Sequence, residues 1–200
     1  MKGRTILVLR PQSIKYGSGQ GIAILLFVVS ACLGMSGPAF ADSAKGGPSE
    51  YELKSAYIFN FVKFVEWPDG SFSDANSPIV IGILGDDPFG NTIDNAVANK
   101  TVNGRKLHIH RFKKASDLKQ VHVLYISASE DKHLMDTFNV LKDKPVLTIG
   151  ETGSYARSGG IIRFLNEDNK IRFSIYADKA KKVGLKISSK LLKLAKTVKA

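Results

Sequence analysis

Of 200 residues only one, Cys32, is a cysteine, so residues 42–200 have none. No disulfide can staple that stretch and no thiolate can act there as nucleophile or metal ligand, which leaves its stability to packing. No glycine loop is followed by the lysine and hydroxyl of a phosphate site, and no serine sits in a Gly-x-Ser-x-Gly elbow. The glycines at 150, 153, 159 and 160 are read instead as serving turns and positive φ angles. Low-complexity tracts and repeats of solenoid length are lacking too, so a single core is expected.

Acidic residues are missing from both ends of the chain. None precedes Asp42 and none follows Asp178, while eight lysines lie between Lys179 and Lys199. Residues 42–178 carry 17 basic and 18 acidic side chains and are close to neutral. A nucleic-acid binder would spread arginine and aromatics over one face, so nucleic acid is not an expected partner. The lysine run has two readings, the solvated face of a terminal helix or a surface attracted to an anionic membrane or acidic partner.

Long hydrophobic runs are absent as well. Residues 1–20 carry Lys2, Arg4, Arg10 and Lys15, and are followed by the apolar run Ile22–Gly34 and by Pro38-Ala39-Phe40-Ala41. A membrane span needs roughly 20 apolar residues. This shorter run with a basic start and a small-residue end reads as a secretory signal over residues 1–41. Val29-Ser30-Ala31-Cys32 also has the shape of a lipobox, so lipid anchoring at Cys32 is the rival processing route. Residues 42–49 read as a flexible leader and 50–200 as a single domain.

Within that domain, Leu53, Tyr57, Phe61, Phe64 and Val65 recur at helical spacing, Ser49 and Glu52 suit a capping box, and Pro68 follows. The spacing predicts a helix over 51–67. Ile79–Leu84 is a run of the kind found in strands buried on both faces. Asp87 is placed to cap a helix that starts at Pro88 and runs to about Asn99.

Residues 106–112 alternate, with Leu107, Ile109 and Arg111 on one side and His108, His110 and Phe112 on the other. Strands are further predicted over 121–126 and 146–150, with a helix over 130–141 between them. This alternation predicts an α/β fold with a mostly parallel Rossmann-like or flavodoxin-like sheet flanked by helices. A hairpin over 161–175 should finish the sheet antiparallel. A terminal helix capped by Asp178, with Gly184 as a break, should carry Ile187, Leu191, Leu194 and Val198 in one apolar line.

Chemistry-bearing clusters are sparse. His108 and His110 would share a strand face and could hold two corners of a metal site, but no third ligand is committed to the same place, so no metal and no cofactor are expected. Asp86 and Asp87 stand at the carboxyl end of the first buried strand, where doubly wound sheets bind ligands. They suit either a turn and helix cap or a polar group in a cleft. A binding protein is therefore expected rather than an enzyme, with a small-molecule receptor or hydrolase using a cleft near Asp86 as the alternative.

Four ordered blocks carry a family resemblance: 56–68 (AYIFNFVKFVEWP), 81–90 (IGILGDDPFG), 159–164 (GGIIRF) and 184–195 (GLKISSKLLKLA). Together they resemble the YfiR family of exported regulators. The resemblance implies a periplasmic α/β protein, often a homodimer, that binds the periplasmic sensor domain of a membrane-bound diguanylate cyclase and holds the enzyme inactive. It thereby implies control of cyclic-di-GMP and biofilm formation. It also implies an outer-membrane peptidoglycan-associated lipoprotein that draws the regulator away, and a histidine kinase as the other class of signalling partner. Cysteine pairs found in some members are missing from residues 42–200, which counts against a redox-sensing role.

Asn60, Lys63 and Trp67, spaced three and four apart, are expected on one helix face as a partner-binding surface, with core filling as the other role for Trp67. Arg163 and Arg172 on the two hairpin arms could form a positive spot for a carboxylate or phosphate, or face solvent separately.

Overall fold

The computed structural model describes residues 47–199, so the signal reading of residues 1–41 and the lipidation of Cys32 lie outside the described residues. Helix α1 (Glu50–Lys63) opens on the expected capping box: the Glu52 N–H donates to Ser49 Oγ at 3.3 Å, and the Ser49 N–H donates to Glu52 Oε2 at 2.6 Å. It ends one turn earlier than its pattern predicts. Phe64 turns out of the helix, and β1 (Val65–Glu66) pairs antiparallel with β9 (Lys186–Ile187). A β-branched valine gains cross-strand backbone partners there that a fraying helix end would not give it.

Strand β2 (Ile79–Leu84) is buried along its whole length, as expected. After it, α2 (Asn91–Val97) starts later than Pro88, with Gly90 at its N-cap. Asp87 does not cap this helix: its Oδ1 accepts the Phe89 N–H at 2.8 Å and so stabilises the turn before it. Then follow β3 (Thr101–Val102), β4 (Arg105–Phe112), β5 (Val123–Ile126), a 3-10 turn over Ala128–His133, α3 (Leu134–Val140) and β6 (Leu147–Gly150). Helix α4 (Gly153–Ser158) precedes the hairpin of β7 (Ile162–Glu167) and β8 (Lys170–Tyr176). Asp168 and Asn169 both have positive φ, as a two-residue turn of this hand requires.

The eight-stranded sheet has the order β10-β8-β7-β6-β5-β2-β4-β3, where β10 is Thr197–Lys199. Five strands, β7-β6-β5-β2-β4, run parallel, and the chain lays β4 on one side of β2 before returning to build β5, β6 and β7 on the other. This is the flavodoxin-like doubly wound order, with the switch point between β2 and β5.

Alternate residues of β2 serve two cores. Ile79, Ile81 and Ile83 face α1 and α2, while Val80 and Leu84 join the α3 and α4 side. Helix α1 drives Phe61 between Phe173 (ring centroids 4.9 Å) and Phe164 (5.7 Å).

The chain breaks at Gly184, as expected, but Asp178 does not cap the helix before the break and the residues beyond it are not one helix. Helix α5 (Ala177–Lys182) carries Asp178 inside its first turn and not as a cap. Gly184 has φ +78, β9 follows, and Ser188 caps α6 (Ser189–Leu194) through the Leu191 N–H. The apolar line is thus split: Leu191 is buried, whereas Leu194 and Val198 are exposed.

Helix α4 lies in the segment read as glycine turns, and the glycines flanking it at 150 and 160 have another purpose. A Cβ on Gly160 would lie 2.1 Å from the Tyr155 ring and one on Gly150 2.6 Å from it. Tyr155 is fully buried and its hydroxyl accepts the Ile161 N–H at 3.1 Å. Replacing Gly160 by Ala is expected to cost about 3 kcal/mol of stability, read as a lowered thermal midpoint, whereas Gly47→Ala should change it negligibly.

Candidate functional site

At the carboxyl ends of β5 and β6, a lysine is buried inside the protein. Lys54 of α1 shares the helix face of Ile58 and Phe61 and is 2% exposed. Its ammonium donates to Glu50 Oε1 one turn back at 2.5 Å and meets Glu151 Oε1 at 2.8 Å. The Tyr125 hydroxyl donates to the same Glu151 oxygen at 2.5 Å. Burial works against the charged lysine, but the two carboxylates outweigh it and leave the pKa of Lys54 above its ordinary value. Burial, with Glu151 alongside, raises the Tyr125 phenol far above its usual range, so it stays a donor. Next door, Thr152 and Ser154 donate to the two oxygens of Asp131.

Arg163 belongs to this neighbourhood: its Nε donates to the Glu151 carbonyl at 3.0 Å, and a shallow pocket of about 270 Å³ is lined by Glu50, Lys54, Glu151, Arg163 and the start of the hairpin turn. Arg172 does not join it. The hairpin register sets Arg163 opposite Ser174 and Arg172 opposite Leu165, so the two arginines share the outer sheet face on a diagonal, with Arg172 exposed. Sequence reasoning passed over Lys54 and Glu151. The signal was present in the spacing of Lys54, Ile58 and Phe61, which puts an ammonium on a buried helix stripe that has to find carboxylates.

Asp86 is exposed at the switch point, and its backbone N–H donates to Ser129 Oγ at 3.0 Å. The space above the neighbouring Gly85 is filled by Ser129 and Glu130, 2.4 and 2.8 Å from where a Cβ would stand. Asp87 and Asp94 are both taken by Arg111, which fastens β4 to α2. His108 and His110 do lie on one exposed strand face, and among the described residues no three histidine, cysteine or acidic side chains could gather round a metal ion.

The three residues expected on one face of α1 part company. Leu53, Ala56, Asn60 and Lys63, at helical spacing, form its exposed ridge, flanked by the half-buried Tyr57 and Phe59. Trp67 leaves this ridge because the helix stops at Lys63. Its indole N–H donates to the His122 carbonyl at 3.2 Å, and it packs against Phe72 and the main core.

His122 is the buried pin of that corner. Its Nδ1 accepts the Val80 N–H at 3.0 Å, which places the proton on Nε2, facing the Ser71 carbonyl at 3.1 Å. Phe72 stacks on the ring at 4.4 Å, and Arg105, 4.0 Å over Phe72, holds the carbonyls of Asp74 and Ser77. Burial pushes the imidazole pKa below its ordinary value, with Arg105 adding to the effect against the opposing Ser71 contact.

Two outcomes follow from these contacts. Lys54→Met should lower stability by about 1–3 kcal/mol in denaturant unfolding, since it leaves Glu151 and Glu50 without their cation. With the folded pKa of His122 below that of the unfolded chain, the unfolded state binds the extra proton first as pH falls below about 6.5. Stability should therefore drop as pH falls through about 6.5 toward the lower folded pKa, and the drop should shrink in His122→Asn.

Solved structures similar to this chain include a conserved domain protein from Vibrio cholerae, with a TM-score of 0.52 at 13% identity. The match covers 77% of this chain and 62% of that one, so this chain spans about six tenths of that protein's length, and the likeness is one of fold. The ABC domain from Streptococcus pneumonia, solved in complex with L-Trp, aligns at a TM-score of 0.45 and 10% identity over 60% of this chain and 55% of its own. The family model described as YfiR/HmsC-like matches residues 51–196, from the first turn of α1 to the residue before β10. By that match, which takes in α1, its exposed ridge, the buried Lys54 and the whole parallel sheet, the chain belongs to the YfiR/HmsC-like family.

Proposed function

We propose that the protein is a periplasmic repressor that binds the periplasmic sensor domain of a membrane-bound signalling enzyme, a diguanylate cyclase in the first instance, and so lowers cyclic-di-GMP output and biofilm formation. Membership of a family of periplasmic regulators supports the general role. In this reading residues 1–41 are removed on export, the remainder acts as a homodimer, and an outer-membrane peptidoglycan-associated lipoprotein competes for it. A histidine kinase stands as the other class of partner.

The observation that carries the reading is the solvent-facing ridge of α1. Leu53 is an exposed large apolar side chain, and the half-buried Tyr57 and Phe59 border it, with Asn60 and Lys63 completing a patch with an apolar centre and a polar end. The helix beneath is held by Lys54 and by the Phe61 wedge, so the patch is rigid and a partner would meet it without first ordering it. Regulation follows if only one state of the sensor domain fits that surface. The alternative of a receptor or hydrolase working beside Asp86 is disfavoured by Ser129 and Glu130, which occupy the position where a ligand would approach the switch point.

Calorimetry of the purified protein with the periplasmic domain of the diguanylate cyclase encoded nearest to its gene tests the reading. Saturable binding is expected, weakened roughly tenfold by Leu53→Asp and several-fold by Lys63→Glu, with the thermal midpoint of each variant unchanged. Binding that ignores both substitutions, or no binding at all, contradicts it.

A further inference from the structure

A trough lies at the end of the sheet opposite the Lys54 cluster, between the end of α3 and helix α5. Its volume is about 400 Å³, within the range of small-ligand sites. The floor is apolar: Leu141, Val146 and Ile161 are buried there, and Phe138 and Val183 are partly buried beside them. The rim is cationic. Lys142, Lys144, Lys179 and Lys182 border it, against Asp143 and Asp178, and among the described residues none of these lysines is ion-paired.

Lys179 is the telling member of that rim. It is half-buried, its ammonium donates to the Ala156 carbonyl at 2.7 Å, and it lies 4.7 Å over the Tyr176 ring. Burial lowers its pKa and Lys199 adds to that, with Asp178 opposing but forming no ion pair. A half-buried cation beside an apolar floor gains most from an anion that brings its own hydrocarbon.

We propose that this trough binds an amphiphilic carboxylate, with its chain on Leu141, Val146, Ile161 and Val183 and its head on Lys179 and Lys182. The site is separate from the α1 ridge and independent of the repressor reading. It lies at the amino ends of the parallel strands β6 and β7, away from the switch point where doubly wound folds usually bind ligands. The shape and charge set the selectivity: the floor favours a flexible chain over a sugar, and the rim favours an anionic head over a neutral or cationic one.

Decanoate, kept below its micelle concentration at near-physiological salt, is the probe, titrated into the purified protein by calorimetry. One saturable site is expected. Decanol should bind at least tenfold more weakly and decyltrimethylammonium should not bind, since the rim repels it. Lys182→Glu, an exposed change that leaves the core alone, should weaken decanoate roughly fivefold to tenfold, as should Lys179→Met. Lys179→Arg should keep most of the affinity, and the remote Lys190→Met should keep all of it. Equal binding of decanol and decanoate, loss of saturation, or indifference to both Lys179→Met and Lys182→Glu overturns the proposal. So does a dimer that Lys182→Glu dissociates and that decanoate leaves intact, since the trough would then be covered by a second copy.

Discussion

Helix α1 has apolar or aromatic residues on much of its circumference, and hydrophobic burial alone would let it lie on the sheet at more than one rotation. The ammonium of Lys54 removes that freedom. Buried to 2% exposure, it is tolerable only where Glu50 and Glu151 reach it, and Glu151 is fixed at the end of β6, with Tyr125 donating to the same oxygen. Once that rotation is set, Phe61 must enter between Phe164 and Phe173, and Leu53, Ala56, Asn60 and Lys63 must face out. A buried ammonium that must reach two carboxylates at the protein's edge thus chooses the exterior surface, a directional constraint that apolar burial does not supply.

The end of α1 is as consequential as its rotation. By leaving the helix at Phe64 and pairing β1 with β9, the chain ties the end of α1 to its carboxyl-terminal third, and Trp67 is carried to the corner held by His122. The segment 68–78 is then fastened by Ser71 on His122 and by Arg105 on Asp74 and Ser77, rather than left as a free loop. The protein therefore presents different chemistry at its different faces: a rigid, mostly neutral ridge on α1 and a lysine-rimmed trough beside α5.

Much of this was legible in the residues. The capping box at Ser49 and Glu52, the buried run of β2, the alternation of β4 and the hairpin of β7 and β8 are local signals, and the structure keeps them. What the sequence obscured depended on distant partners. Val65 and Glu66 look helical until Lys186 and Ile187 arrive beside them. Ile187, Leu191, Leu194 and Val198 look like one helical stripe because spacing does not register that Ser188 starts a new helix and that Val198 pairs with Ile175. Gly150 and Gly160 look like turn residues, yet their purpose is to admit the Tyr155 ring. For the site, Asn60 and Lys63 share the expected face. Trp67 does not, and Arg163 and Arg172 lie diagonal to each other rather than directly opposite, by a register no single arm reveals.

The central claim is that α1's outward ridge is the surface that meets a signalling partner. A photo-crosslinking residue placed at Asn60, and another at exposed Met135 on the far side of the sheet, tests it most directly in cells carrying the cognate diguanylate cyclase. The account predicts a crosslink from position 60 to the sensor domain and none from position 135. A crosslink from 135 with position 60 silent would contradict it.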